Sequence, residues 1–331
     1  MCGISGFNFR DESLIKSMNQ KIGHRGPDRD GVFLDDHVSL GHTRLSIIDL
    51  SEAGSQPMIS YDGRLIITFN GEIYNFKELR EELKGGYPFK SNSDTEIILA
   101  SYLKWGYDCV KKFNGIFAFA IWDKEKKELF LARDHLGVKP LFYYWDGDKF
   151  IFSSEIKSIL THPLNRQINL KAVDLYFRFL YISGPETIWQ KIFKLDPASH
   201  LVLKDWTLKI EKYWQIEDYS DLKSSQEELQ FKIKEALKKS VKRQMVADVP
   251  VGLFLSGGID STSTLGLMRE FNKGSIKTFS IGFDVDDGDG RFNIDSILAK
   301  KTAEYYKTDH HELNISVKDT VDNLEKVVWH M

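Results

Sequence analysis

The stretch Leu255-Ser256-Gly257-Gly258-Ile259-Asp260-Ser261 follows an apolar run over 249–255 and opens a helical pattern over 260–271. A loop entering a helix presents unpaired backbone N–H groups and a partial positive charge. Its glycines let the backbone approach an anion, and its serines add hydroxyl donors, so the loop reads as a phosphate or pyrophosphate cradle. Asp260 would repel a bare phosphate; it fits if Mg²⁺ lies between carboxylate and phosphates. No Gly-Lys-Ser/Thr follows, so the loop is neither a Walker A loop nor a dinucleotide fingerprint. A plain glycine-containing strand-to-helix turn is the alternative reading.

Outward from this loop the alternation continues: strand 276–283, helix 295–306, a short strand 311–313 and helix 317–329. That pattern predicts a parallel α/β arrangement. Upstream, Leu229, Ile233, Leu237 and Val241 give 224–245 a near-3.6-residue period and predict an amphipathic helix. Before it, 205–221 is aromatic and irregular, with Trp206, Tyr213, Trp214 and Tyr219. The N-terminal part reads as strands over 3–8, 38–43, 65–69, 117–123, 128–133, 141–144 and 150–153, with helices over 11–22, 75–83 and 94–105. Lys124–Lys127 reads as a hairpin turn between two of these strands. The class is therefore α+β followed by α/β. The 331 residues suit about two domains. With 45 basic and 48 acidic residues the chain has no general polyanion character, which argues against nucleic acid as partner. Its longest strong apolar run, 116–122, is far short of a membrane span. Residues 1–16 lack the apolar stretch of a signal peptide, and two cysteines make no disulfide framework. A cytoplasmic, reducing location is expected.

One of the two cysteines is Cys2, followed by Gly3. Methionine before a small residue is commonly removed, which would make Cys2 the mature N-terminus. Nucleophile and base then sit on one residue: the thiolate attacks and the α-amine shuttles the proton. Six motifs accompany it: Met1-Cys2-Gly3-Ile4-Ser5-Gly6, His24-Arg25-Gly26-Pro27-Asp28, Gly41-His42-Thr43-Arg44-Leu45-Ser46-Ile47, Asn70-Gly71-Glu72-Ile73-Tyr74-Asn75, Ser93-Asp94-Thr95-Glu96 and Arg133-Asp134-His135-Leu136-Gly137. In this order they resemble the class II glutamine amidotransferases. Together with the loop at Ser256–Ser261, which resembles the PP-loop of ATP pyrophosphatase domains, they resemble the glutamine-hydrolysing asparagine synthetases.

The resemblance implies an αββα N-terminal nucleophile hydrolase sandwich followed by a parallel-sheet adenine-nucleotide domain that is incomplete here. Residues 1–205 would be the glutaminase domain, 206–222 a linker and 223–331 the N-terminal part of the ATP pyrophosphatase domain. Cys2 would attack the side-chain amide of glutamine and release ammonia. Asn70 and Gly71 would hold the oxyanion. Arg44 would grip the α-carboxylate; Glu72 and Asp94 would meet the α-ammonium, and Ile47 would complete the pocket. Leu255, Ser256, Gly257, Gly258, Asp260, Ser261 and Ile281 would bind ATP, with Leu255 and Ile281 flanking adenine and Asp260 on Mg²⁺. The acceptor implied is aspartate, activated as an acyl-adenylate, and the resemblance also allows a homodimer.

Plainer readings stand beside these. Asp94 also reads as a helix N-cap, Asn70-Gly71 as a tight turn, and Arg44 as half of a surface ion pair. His310-His311-Glu312 reads as structural, because adjacent strand side chains face opposite ways. Cys109 reads as a small core residue. The acidic run Asp284, Asp286, Asp287, Asp289 reads as a solvated loop, and Ile294 stands where the family often has an acid. Family members continue well past residue 331, so a fragment, a truncated product or a two-gene arrangement is expected. The rival functions are an amidotransferase acting on another carboxylate, such as a polysaccharide uronic acid, and a glutaminase alone.

Overall fold

The computed structural model describes residues 1–217, 224–284 and 293–330. Tyr219, the end of the expected linker, and Asp286, Asp287 and Asp289 of the acidic run lie outside the described residues. The chain divides into two compact units, Met1–Ser220 and Asp221–Met331.

In chain order the first unit carries β1 (Gly3–Phe7), α1 (Glu12–Lys21), β2 (Arg29–Leu34), β3 (Ser39–Arg44), β4 (Met58–Ile59), β5 (Leu65–Ile73), α2 (Phe76–Leu83), α3 (Asp94–Trp105), β6 (Gly115–Asp123), β7 (Glu128–Arg133), β8 (Phe142–Trp145), β9 (Phe150–Ser153), α4 (Ile156–Ile159), α5 (Leu170–Phe179), β10 (Ile192–Lys194), β11 (Ser199–Lys204) and β12 (Thr207–Lys212). Among the described residues they form two six-stranded antiparallel sheets, ordered β10-β8-β9-β1-β3-β2 and β12-β11-β7-β6-β5-β4. Period-two alternation sorts the strand side chains into layers. In β1, Ile4 joins Leu40, Ile66, Ala118, Leu131 and Phe152 in a core between the sheets. Phe7, on the opposite face, joins Ile15 and Met18 of α1 and Ile159 of α4. On the far side, α3 buries Ile97, Ile98 and Leu99. This is the αββα sandwich.

Two sequence expectations are corrected here. Thr207–Lys212 pairs residue for residue with β11, so the first unit runs through the start of the expected linker. The N-cap of α3 is Ser93, whose hydroxyl accepts from the Thr95 N–H at 3.0 Å, so Asp94 is the first helical residue rather than the cap.

The second unit carries α6 (Gln226–Gln244), β13 (Gly252–Phe254), α7 (Ile259–Phe271), β14 (Lys277–Asp284), α8 (Ile294–Tyr306), β15 (Asp309–Ser316), α9 (Val317–Asp322) and α10 (Leu324–His330). The parallel sheet runs β13-β14-β15. β15 is longer than the expected 311–313, because it pairs with β14 at eight positions from Asp309 to Ser316. Leu255, Leu265, Met268, Ile276, Ala299 and Ala303 form its core. The opposite sheet face leaves Phe279, Ile281 and Phe283 exposed. α6 starts at a Ser225/Glu228 capping box, yet Leu229, Ile233 and Leu237 of its apolar stripe are exposed and only its C-terminal end packs on that core.

Candidate active site

Cys2 directly precedes β1, the strand between β9 and β3 in the first sheet. Register pairs Gly3 with Thr43, which sets Cys2 beside Arg44 at the end of β3. The Leu45 N–H donates to Cys2 Sγ at 3.4 Å, and Arg25 Nε donates to the Cys2 carbonyl at 2.9 Å. Arg25 is itself tied to Glu155 at 2.9 Å, while Asp28 accepts from the Ser46 N–H at 2.7 Å. The His24–Asp28 motif thus fixes the backbone of Cys2 and the turn after Arg44. Burial pushes the Cys2 thiol up, against the backbone N–H that favours its thiolate.

Across the gap, β5 of the second sheet supplies the oxyanion candidates. Asn70 and Gly71 lie inside this nine-residue strand, paired with Ala118 and Phe117 of β6, so the tight-turn reading is excluded. Thr68, on the same strand face as Asn70, bonds the Gly41 carbonyl at 2.9 Å, so this face meets the first sheet. Asn70 is 1% exposed, and its Nδ2 has no hydrogen-bond partner among the described residues. Position 71 admits only glycine, since a Cβ there would stand 2.2 Å from the Ile116 carbonyl oxygen.

The two sheets enclose a cavity of about 110 Å³ whose lining includes Cys2, Arg44, Ile47, Asn70, Gly71, Glu72 and Asp94. All seven residues expected at the glutaminase site therefore meet in one place. The Arg44 guanidinium is steadied by the Ser51 carbonyl at 3.1 Å and by the Asp49 carbonyl, so it is no half of a surface ion pair. Asp94 accepts from the Ile73 N–H at 2.9 Å. Burial, helped by the charge of Glu72, pushes its carboxyl up to about 7. Burial also raises Glu72. Burial thus works against charge on both carboxyls, and a cation beside them would favour it. Lys139 lines the same cavity, and the sequence reading did not single it out. The only signal was its place two residues after the Arg133–Gly137 motif.

In the second unit the expected anion loop joins β13 to α7. Gly257 has φ +73°, and a Cβ there would meet Leu298 Cβ at 2.4 Å. Ser256 and Ser261 hydroxyls lie 3.1 Å apart, and Ser261 also donates to the Gly258 carbonyl at 3.2 Å. Asp260 is exposed in the first turn of α7. Ile281 is half exposed on the open sheet face. Leu255 differs from expectation: its side chain is 2% exposed and packed in the core, so a ligand would meet only its backbone. The loop's hydroxyls and helix N-terminus fit a polyphosphate, and Asp260 offers a single carboxylate; no group of three or more metal-ligating side chains exists among the described residues. His310 bonds Thr278 at 2.9 Å and Ser280 at 3.2 Å, while the His311 ring stacks on Phe279; the pair is structural. Cys109 is buried. Among the described residues no helix is long and apolar enough to cross a membrane.

The sandwich and its N-terminal cysteine site define a class II glutamine amidotransferase domain, and the family described as "Glutamine amidotransferase domain" matches residues 1–214. The family described as "Asparagine synthase" matches residues 232–331. A putative glutamine-hydrolysing asparagine synthetase 2 of Methanocaldococcus jannaschii is 42% identical over 99% of this chain and 68% of its own. Asparagine synthetase 1 of Bacillus subtilis is 40% identical over 100% of this chain and 52% of its own. Asparagine synthetase B of Escherichia coli is 29% identical over 100% of this chain and 58% of its own. The chain belongs to the glutamine-hydrolysing asparagine synthetase family and spans from 52% to 68% of the length of these relatives. A solved structure described as the allosteric regulatory enzyme of purine biosynthesis aligns at TM-score 0.50 and 14% identity, over 95% of this chain and 80% of that one. At that identity the likeness speaks for the fold alone.

Proposed function

We propose that the first unit hydrolyses glutamine at Cys2, after removal of Met1, and supplies ammonia for ATP-dependent conversion of aspartate to asparagine. The observation that carries the first half is the buried Nδ2 of Asn70, unpartnered among the described residues, in the cavity that holds Cys2. A buried donor without a partner costs about 1–3 kcal/mol, a cost that makes sense where charge develops only during reaction. Cys2 Sγ attacks the amide carbon, and its proton passes through the freed α-amine to the departing ammonia. Asn70 Nδ2 and the Gly71 N–H take the oxyanion. Water then cleaves the thioester to glutamate. Arg44 holds the α-carboxylate, and Asp94 and Glu72 the α-ammonium. A free, reactive thiol suits a reducing cytoplasm.

In the second unit, Ser256, Gly257, Gly258 and Ser261 would receive the phosphates of ATP, with Ile281 on the open face toward adenine. Asp260 would hold Mg²⁺ against the phosphates, which neutralises their charge. The test is glutamate release from glutamine alone, followed by addition of ATP, Mg²⁺ and aspartate. Glutamate without additions supports the glutaminase half. Asparagine, AMP and pyrophosphate in equal amounts support the synthetase half, and their absence refutes that half for this chain.

A further inference from the structure

The Arg133–Gly137 motif has no place in the chemistry above, yet it is built with unusual care. Asp134, 1% exposed, accepts from four backbone N–H groups: Phe117 at 3.1 Å, Leu136 at 3.2 Å, Val138 at 2.9 Å and Lys139 at 2.9 Å. Arg133, 3% exposed, spends its guanidinium on carbonyls, donating to Lys139 at 2.7 Å, to Leu195 at 2.6 Å and to Gly137. A buried carboxylate and a buried guanidinium thus wrap one turn from both sides. The residue that the turn delivers is Lys139, 8% exposed and lining the cavity of Cys2. Among the described residues its ammonium has no hydrogen-bond or ion-pair partner, and Glu72, on the same cavity wall, has none either. Two opposite charges share a pocket without being spent on each other.

We propose that Lys139 is a positioning residue of the glutaminase site, whose ammonium favours the reactive thiolate of Cys2 over the thiol. The inference rests on Cys2 being the nucleophile. Burial and the carboxylate of Asp94 both work against a thiolate there, whereas the Leu45 N–H, the amine of Met1 and, more weakly, Lys139 work for it. Lys139 is in turn faced by Glu72, Arg25, Cys2 and Asp134; burial lowers its pKa, and the negative charge of Glu72 supports its charged form. Under the proposed function the α-carboxylate of glutamine falls to Arg44, which lines the same cavity. Lys139 therefore acts on the sulfur rather than on the substrate's charge.

The test is the pH dependence of Cys2 alkylation by iodoacetamide in the full chain, read by peptide mass, for wild type, Lys139→Met and Lys139→Arg. Losing a cation near a thiol moves its titration up by roughly one pH unit. The proposal expects that upward move in Lys139→Met, about tenfold slower glutamine hydrolysis at neutral pH, a glutamine KM within about twofold of wild type, and restoration by Lys139→Arg. Thermal melting checks that each variant is folded, and Lys139→Gln replaces the methionine variant if that one is not. Superimposable alkylation curves overturn the proposal. So does a KM rise with an unchanged curve, which would make Lys139 a substrate anchor. Alkylation reports on the sulfur whether or not glutamine is hydrolysed there. Unchanged hydrolysis in Cys2→Ala would sink the nucleophile assignment separately.

Discussion

Replacing Asn70 by alanine separates a structural role from a chemical one. In a strand that merely holds two sheets together, a buried asparagine contributes hydrogen bonds, and its loss destabilises. Here the Nδ2 is buried and has no partner among the described residues, although Asn70 sits in the middle of β5. Its removal lifts a desolvation cost of about 1–3 kcal/mol, offset by the lost packing of a small side chain. Asn70→Ala should leave the thermal midpoint of the first unit within a few degrees of wild type, or raise it. Its glutaminase kcat should fall by ~10²–10³, equivalent to about 3–4 kcal/mol, because the donor acts mainly on charge that develops in the transition state. The glutamine KM should change far less. Coupled-enzyme detection of glutamate and a melting curve followed by tryptophan fluorescence provide both numbers. An unchanged kcat together with a loss of several kcal/mol of stability would refute the oxyanion reasoning.

Three further outcomes follow from particular contacts. Gly71→Ala sets a Cβ 2.2 Å from the Ile116 carbonyl oxygen and should cost roughly 1–3 kcal/mol, seen as a lower melting midpoint. Asp94 has a folded pKa of about 7 against 3.8 in the free acid. The folded chain therefore keeps a proton that the unfolded chain has lost, and this contribution to stability is full below pH about 4 and fades as pH rises toward 7. Asp94→Asn should remove that part of the pH slope of stability. If Asp94 meets the α-ammonium as proposed, wild-type glutamine KM should rise as pH falls below about 7, where this carboxyl becomes protonated, and Asp94→Asn should abolish that rise. Asp260 is exposed, so Asp260→Ala should leave folding within about 0.5 kcal/mol while titration calorimetry shows loss of Mg²⁺-dependent ATP binding.

That the residues of the candidate glutaminase site would gather in one cavity was legible because they sit in short motifs beside strand signals. Cys2, Arg44, Asn70, Gly71 and Asp94 come from distant segments, and antiparallel register brings them together. What sequence reading misjudged was local geometry. Asn-Gly is a favoured turn dipeptide, which kept a tight turn open as the plainer alternative; pairing with β6 holds Asn70-Gly71 extended. Ser93 caps α3 in place of Asp94, a one-residue offset that propensity does not resolve. Leu255 looked like a ligand contact because it adjoins the anion loop, but strand parity turns its side chain into the core. Lys139 escaped notice because its one sequence signal was proximity to the Arg133–Gly137 motif. Its position depends on the Arg133 guanidinium, which donates to its carbonyl, and on the Asp134 carboxylate, which accepts from its N–H, contacts that only the folded turn displays. β2, β4 and β10–β12 were missed because their short, mixed sequences pair only through neighbours already in the sheets.

The central claim is that Cys2 forms a covalent bond to the substrate. Acid quenching of the full chain during turnover of glutamine, followed by peptide mass analysis, tests it directly. The account predicts a γ-glutamyl group on a peptide that begins at Cys2, absent in Cys2→Ala, which should hydrolyse no glutamine. Hydrolysis at the wild-type rate by Cys2→Ala, or a glutamyl adduct on another residue, would contradict it.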